Sequence, residues 1–171
     1  MRIAVIGSGN HHDRLAALAY EVGRELAARG HILICGGRGG VMLEAARGAK
    51  DAGGLTVGIL PGDDATEANP HIDVPIPTGL GHARNAVVAR SAEAVIAIGG
   101  SYGTLSEIAF AAIAGRPIVG LDTWTARDHE GNDLPIHRAA TPIEAVTLAE
   151  SLAGADSLPP RSPARAPIIE A

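Results

Sequence analysis

Five short, continuous runs of aliphatic residues, each followed by turn residues and then by helical spacing, constrain this chain more than any other feature. The runs lie at residues 2–6, 32–35, 56–60, 94–98 and 118–121. Apolar residues follow one another without alternating polar positions, the pattern of strands buried on both faces of a parallel sheet. After the first run, Leu15, Leu18, Val22 and Leu26 recur at helical spacing until Gly30 interrupts them. Helical patterns follow at residues 41–52, 82–91 and 104–114. A last one, at 141–152, opens on Thr141-Pro142-Ile143-Glu144, with a capping residue, a proline suited to the first helical position and a glutamate at capping-box spacing. Residues 61–77 form a long connection rich in proline and aspartate, with a short extended segment at 72–76, and residues 122–140 read as irregular.

Strands alternating with helices over short connections predict an α/β fold, a three-layer, doubly wound, mostly parallel sheet of the Rossmann-like kind. Residues 1–153 suffice for one domain. Residues 154–171 contain Pro159, Pro160, Pro163 and Pro167 and read as a flexible tail. No apolar run approaches the ~18 residues of a membrane span. The opening run is too short for a signal-peptide core, and Cys35 stands alone, so a reducing, cytoplasmic setting is expected. The net charge of −5 and the 2% of aromatic residues argue against a nucleic-acid partner. The seven histidines show no metal-ligand spacing, and no metal site is expected.

The chain holds 22 glycines, and three clusters of them close strands: Gly7-Ser8-Gly9, Gly36-Gly37-Arg38-Gly39-Gly40 and Gly99 to Gly103. Ligands of open parallel sheets bind beyond the carboxyl ends of the strands. A turn without Cβ atoms lets backbone approach a phosphate, and the next helix offers its free N–H groups and the positive end of its dipole. None of the clusters is a Walker loop or a good G-x-G-x-x-G. The third is the strongest candidate, with Gly99, Gly100, Ser101, Tyr102, Gly103 and Thr104 crowding one helix start. The first two add Gly7, Ser8, Gly36 and Gly37 as ligand-binding candidates. Glu107 has two readings. At three residues beyond Thr104 it has capping-box spacing, and one turn into the helix it can also turn its carboxylate to a bound sugar. Arg84 stands near a helix start, where a cation is mildly unfavourable and a functional use would account for it. His82 reads as a solvated helix-start residue, Asp63 and Asp64 as a turn, and Cys35 as a small core residue. Asp122 and Trp124 follow the last strand at the ligand edge, and Trp124 either walls the site or covers a subunit contact.

Gly99-Gly100-Ser101-Tyr102-Gly103-Thr104-Leu105-Ser106-Glu107 resembles the P-G-G-x-G-T-x-x-E motif of the cytokinin-activating phosphoribohydrolases, the LOG family, long mislabelled lysine decarboxylases. Arg84 matches the arginine of that family's R-K-x-x-M motif. Leu60-Pro61-Gly62, Glu67 to Pro70, Pro75-Ile76-Pro77-Thr78-Gly79 and Arg84-Asn85 are similar to a sister group of LOG-like proteins that includes molybdenum cofactor carriers. The resemblance spans about residues 1–150. It implies a homodimer or tetramer that binds a phosphorylated small molecule, with no required cofactor. The loop would hold the phosphate, Arg84 and Glu107 would be the catalytic pair, and Thr78, Gly79 and Asn85 would join the ligand-binding set. The implied reaction hydrolyses the N-glycosidic bond of a nucleoside 5′-monophosphate. Gly99 replaces the motif's proline, Ser101 its second glycine, Asn85 the lysine and Val88 the methionine. Phosphate binding survives these changes more easily than turnover. A hydrolase and a non-catalytic binder or carrier, of a nucleotide or the molybdenum cofactor, therefore both stay open. A third reading, single-stranded nucleic-acid binding by analogy with the related domain of the DNA-processing protein DprA, is disfavoured by the charge.

Overall fold

The computed structural model describes residues 1–155. In chain order the elements are β1 (Arg2–Gly7), α1 (Asp13–Ala28), β2 (Ile32–Cys35), α2 (Val41–Asp51), β3 (Thr56–Leu60), β4 (Val74–Pro77), α3 (Asn85–Arg90), β5 (Ala94–Ile98), α4 (Tyr102–Ile113), β6 (Ile118–Leu121), β7 (Ile136–Arg138) and α5 (Pro142–Ala155). One-turn 3-10 helices at Ala65–Glu67 and Gly81–Arg84 punctuate the connections.

The seven strands form one parallel sheet in the order β4-β3-β2-β1-β5-β6-β7. The order reverses between β1 and β5, where Ile3 pairs with Ala94 and Gly7 with Ile98. Connections on the two sides of such a reversal diverge and leave a crevice beyond the carboxyl ends of the strands.

Successive side chains of a strand point to opposite faces, so every central strand feeds two cores. Ile3 and Val5 join one core with residues of α1, α2 and α5. Ala4 and Ile6 join the other with Val88 and Ala89 of α3 and Ile108 and Ala111 of α4. This is the expected three-layer, doubly wound arrangement.

Two features depart from the sequence expectations. β7 lies within the segment read as irregular and pairs with β6 at the sheet edge. The helix expected at 82–91 begins as a 3-10 turn and becomes α-helical at Asn85. α5 continues to Ala155. The expected tail lies almost entirely outside the described residues. Among the described residues, no helix is long and apolar enough to cross a membrane.

Helices α1 and α2 cross at two glycines that helix propensity alone would not place there. A Cβ on Gly23 would overlap the Ala45 carbonyl, and one on Gly48 would overlap the Tyr20 carbonyl. Neither backbone can yield without parting the helices. Gly23→Ala is therefore expected to destabilise the protein by about 3 kcal/mol, although alanine is the better helix former. Urea unfolding checks this, and unchanged stability would mean that the helices pack more loosely than described.

Candidate functional site

The glycine-rich turns meet at the crevice. After β5 the backbone enters left-handed conformations at Gly99 (φ 56°) and Gly100 (φ 130°), which side chains rarely adopt. A Cβ on Gly100 would also sit 2.7 Å from the Thr104 Cβ, so the turn and the helix start close only with glycine there. Ser101 is the N-cap of α4 and Thr104 its third residue, and the two form a capping box. The Ser101 N–H donates to Thr104 Oγ1 at 3.4 Å. The cap thus falls three residues earlier than a Thr104–Glu107 box would put it. Glu107 lies in the second turn, with no capping role.

Glu107 and Arg84 instead form a buried pair. Arg84 ends the 3-10 turn Gly81–Arg84 and is 8% exposed, while Glu107 is 5% exposed. Arg84 Nη1 donates to Glu107 Oε1 at 2.9 Å and to Asn85 Oδ1 at 2.9 Å. Arg84 Nη2 reaches the Gly36 carbonyl at 3.5 Å, and a Cβ on Gly36 would overlap the guanidinium. The second glycine turn is thus needed for Arg84 to fit. Arg84 Nε is buried with no partner among the described residues. An orphaned buried donor is costly and suits an oxygen brought by a ligand.

Burial pushes the Glu107 carboxyl up to about 7, against the opposing pull of Arg84. The carboxyl therefore changes charge near neutral pH. The Cys35 thiol, enclosed at the end of β2, is pushed by burial up to about 11 and is a poor nucleophile.

A cleft of about 150 Å³ opens onto this pair, bordered by Gly7, Arg84, Asn85, Ser101, Gly103, Thr104 and Glu107. The structure thus gathers seven of the candidate residues. Gly9, Met42 and His82 also border the cleft. Glycine spacing could have marked Gly9, whereas Met42 carries no sequence signal because it reaches the cleft from α2. Asn85 borders the cleft with its side chain already engaged. Its amide donates to Ser106 Oγ at 2.8 Å and its oxygen accepts from Arg84.

The other candidates lie elsewhere. The Ser8 carbonyl accepts from Val41 N–H at 3.0 Å, and its hydroxyl accepts from Asn10 N–H at 3.1 Å. Gly37 is a left-handed turn whose N–H points to Cys35 Sγ at 3.3 Å. Thr78, just after β4, donates its hydroxyl to the Leu60 carbonyl at 2.7 Å, and the Gly79 N–H is bound to the Gly62 carbonyl. Tyr102 is 82% exposed and leans on Trp124, ring centroids 5.9 Å apart. Gly99 and Gly100 border a neighbouring cleft with Trp124. The long connection braces the second turn, because Asn69 bonds the Gly37 and Arg38 carbonyls, each at 2.9 Å. Among the described residues, no group of three or more His, Cys, Asp or Glu side chains is placed to hold a metal ion.

The profile of the SLOG cluster4 family, LDcluster4, matches residues 1–146. An uncharacterized protein of Archaeoglobus fulgidus is 46% identical over 121 residues, 71% of this chain and 80% of that one. A probable cytokinin riboside 5′-monophosphate phosphoribohydrolase of Oryza sativa subsp. japonica, LOGL9, is 36% identical over 95 residues, 53% of this chain and 41% of the rice protein. The molybdenum cofactor binding protein of Rippkaea orientalis superposes with a TM-score of 0.79 at 34% identity, covering 88% of this chain and 96% of that one. The molybdenum cofactor carrier protein of Chlamydomonas reinhardtii superposes with a TM-score of 0.77 at 35% identity, covering 90% and 98%.

Proposed function

Because the chain belongs to the SLOG cluster4 family, a LOG-like family, we propose that it binds a phosphorylated small molecule at the start of α4 and hydrolyses the N-glycosidic bond of a nucleoside 5′-monophosphate. The observation that carries this reading is the buried Arg84–Glu107 pair facing a cleft bordered by Gly7, Ser101, Gly103 and Thr104. The backbone N–H groups at the start of α4 and the helix dipole receive the phosphate. Gly103 leaves room for its approach, since a Cβ there would meet nothing closer than Asn85 Nδ2 at 3.9 Å.

Water attacks the anomeric carbon as its bond to the base nitrogen breaks. The bonding pair leaves with the base, which takes up a proton, and the sugar becomes ribose 5-phosphate. The transition state carries oxocarbenium-like positive charge. Ionised Glu107 offsets that charge and accepts a proton from the attacking water. Arg84 holds the carboxylate in place through Nη1 and offers its orphaned Nε–H to a sugar or phosphate oxygen.

A second reading, a binder or carrier of the molybdenum cofactor as cargo, is favoured by Asn85. The enzyme motif has a lysine there, and the Asn85 amide is spent on Ser106 and Gly103, so the cleft lacks that second cation. The cofactor's phosphate suits the same cradle and the orphaned Arg84 Nε, and both cofactor-binding likenesses extend over nearly the whole described chain. Incubation with a panel of nucleoside 5′-monophosphates, followed by chromatography of free bases, separates the two. Base release supports the hydrolase. No release, together with transfer of bound molybdenum cofactor to a cofactor-free acceptor enzyme, overturns hydrolysis in favour of the carrier.

A further inference from the structure

A second cleft, of about 570 Å³, adjoins the first on the other side of the Gly99–Ser101 turn. That volume is within the range of small-molecule sites. Gly99, Gly100, Leu15 and Trp124 are among the residues that border it. Trp124 Nε1 donates to the Ser101 carbonyl at 3.2 Å, which ties the indole to the turn. Tyr102 extends the aromatic surface, in a chain with one tryptophan, two tyrosines and one phenylalanine. Two of the four aromatic residues thus gather at one place on the ligand edge.

The polar groups of this cleft are complementary. Asp122, directly after β6, is the sole non-glycine residue with positive φ (49°) among the described residues. Such a conformation costs on the order of 1 kcal/mol and is common at functional sites. The Asp122 carboxylate makes no hydrogen bond among the described residues. Its charged neighbour is Arg14, whose Nη2 lies 3.5 Å from Oδ2, and both side chains remain about half or more exposed. A carboxylate accepting two N–H bonds beside a guanidinium donating to a carbonyl oxygen is the complement of one ring edge. That edge is a 2-amino-4-oxopyrimidine, with adjacent amino, ring N–H and carbonyl groups.

We propose that this cleft is a ring subsite for a fused heterocycle bearing a 2-amino-4-oxopyrimidine edge, as guanine and pterin do. The ring stacks against Trp124, Asp122 accepts its amino and ring N–H groups, and Arg14 donates to its carbonyl oxygen. Adenine presents the opposite order of donors and acceptors and is rejected. The inference rests on the reading above only in taking the ligand to be phosphorylated.

The test is calorimetry with the full chain, together with fluorescence of Trp124, its one tryptophan. Guanosine 5′-monophosphate is expected to bind at least tenfold more tightly than adenosine 5′-monophosphate or ribose 5-phosphate and to quench Trp124. Neopterin, which has no phosphate, is expected to quench it too, and its affinity relative to guanosine, which also lacks one, tells which ring the cleft prefers. Asp122→Asn removes the charge yet keeps a residue at ease in the left-handed region, so the fold is retained. This variant is expected to lose the guanine preference while binding ribose 5-phosphate as before. Equal affinity for the two nucleotides, selectivity that survives Asp122→Asn, or bound guanosine 5′-monophosphate without quenching would each overturn the proposal. If ribose 5-phosphate binds without ring selectivity, the ring subsite alone falls. If nothing binds, the phosphate cradle falls with it.

Discussion

Glu107→Gln is expected to lower base release by about 10²- to 10⁴-fold while leaving ligand affinity within a few-fold of wild type. Glutamine keeps the size of the side chain and an oxygen for Arg84 Nη1, so the guanidinium stays where the wild-type pair holds it at 2.9 Å. What is lost is the negative charge opposite the developing cation and the acceptor for the water's proton. The same residue sets the pH dependence. Its carboxyl sits near 7, so the ionised fraction, and with it the rate, is expected to rise through pH 7 and level off above it. Steady-state kinetics across this range check the profile. A rate with no step near 7 that also survives in Glu107→Gln would remove Glu107 from the mechanism.

The stability consequence has the opposite sign. The Glu107 carboxyl is raised from 4.5 to about 7, so the folded protein holds that proton more tightly than the unfolded chain. The contribution is fully present below pH 4.5 and is lost as pH climbs towards 7, on the order of 3 kcal/mol in total. Unfolding free energies of wild type minus Glu107→Gln, plotted against pH, are expected to fall across that window and flatten above it. Activity and stability thus pull in opposite directions at one carboxylate, as expected where a site keeps a charge buried for use.

Much of this was legible in the residues. Continuous apolar runs closed by turn residues specify buried parallel strands, and the structure has those five strands within a residue of their expected bounds. The third glycine turn and the residues Arg84 and Glu107 were visible because their types and spacing are unusual for plain turns and helices. The rest depends on contacts distant in sequence. β7 is three residues, Ile136-His137-Arg138, at a sheet edge, and so short a strand has no periodicity to read. Ser101 and Thr104 satisfy capping spacing as well as Thr104 and Glu107 do. The Gly36 carbonyl and Asn85, which surround Arg84 and draw it to the buried carboxylate, favour the first pair, and neither is local to the helix. Gly23 and Gly48 look like defects in their helices until the crossing of α1 and α2 is seen. Thr78 and Gly79 fit the family pattern, and their bonds tie them to the β3 end and the turn after it.

Gly103→Val is expected to abolish binding of phosphorylated ligands, with at least a hundredfold loss of affinity, while leaving the melting temperature nearly unchanged. The contrast with the other site glycines carries the argument. A Cβ on Gly7 would lie 2.6 Å from the Ile98 carbonyl, and one on Gly36 would collide with the Arg84 guanidinium, so substitutions there damage the fold and report nothing about ligand. Gly103 has an ordinary backbone conformation, and its nearest neighbours to a new Cβ are Asn85 Nδ2 at 3.9 Å and Ser101 Oγ at 4.0 Å. The space beside it is the cleft itself. The valine methyl groups would therefore fill the approach to the first N–H groups of α4, where an anion must come within about 3 Å to bond. Valine is a poorer helix former than alanine but better than glycine, so the helix does not suffer. Calorimetry with ribose 5-phosphate and a thermal melt, run on the same preparation, decide the matter. Loss of binding in a protein that melts like wild type locates the phosphate at the start of α4. Unchanged affinity would reduce the Gly99–Thr104 segment to a tight turn and move the anion site elsewhere on the sheet edge.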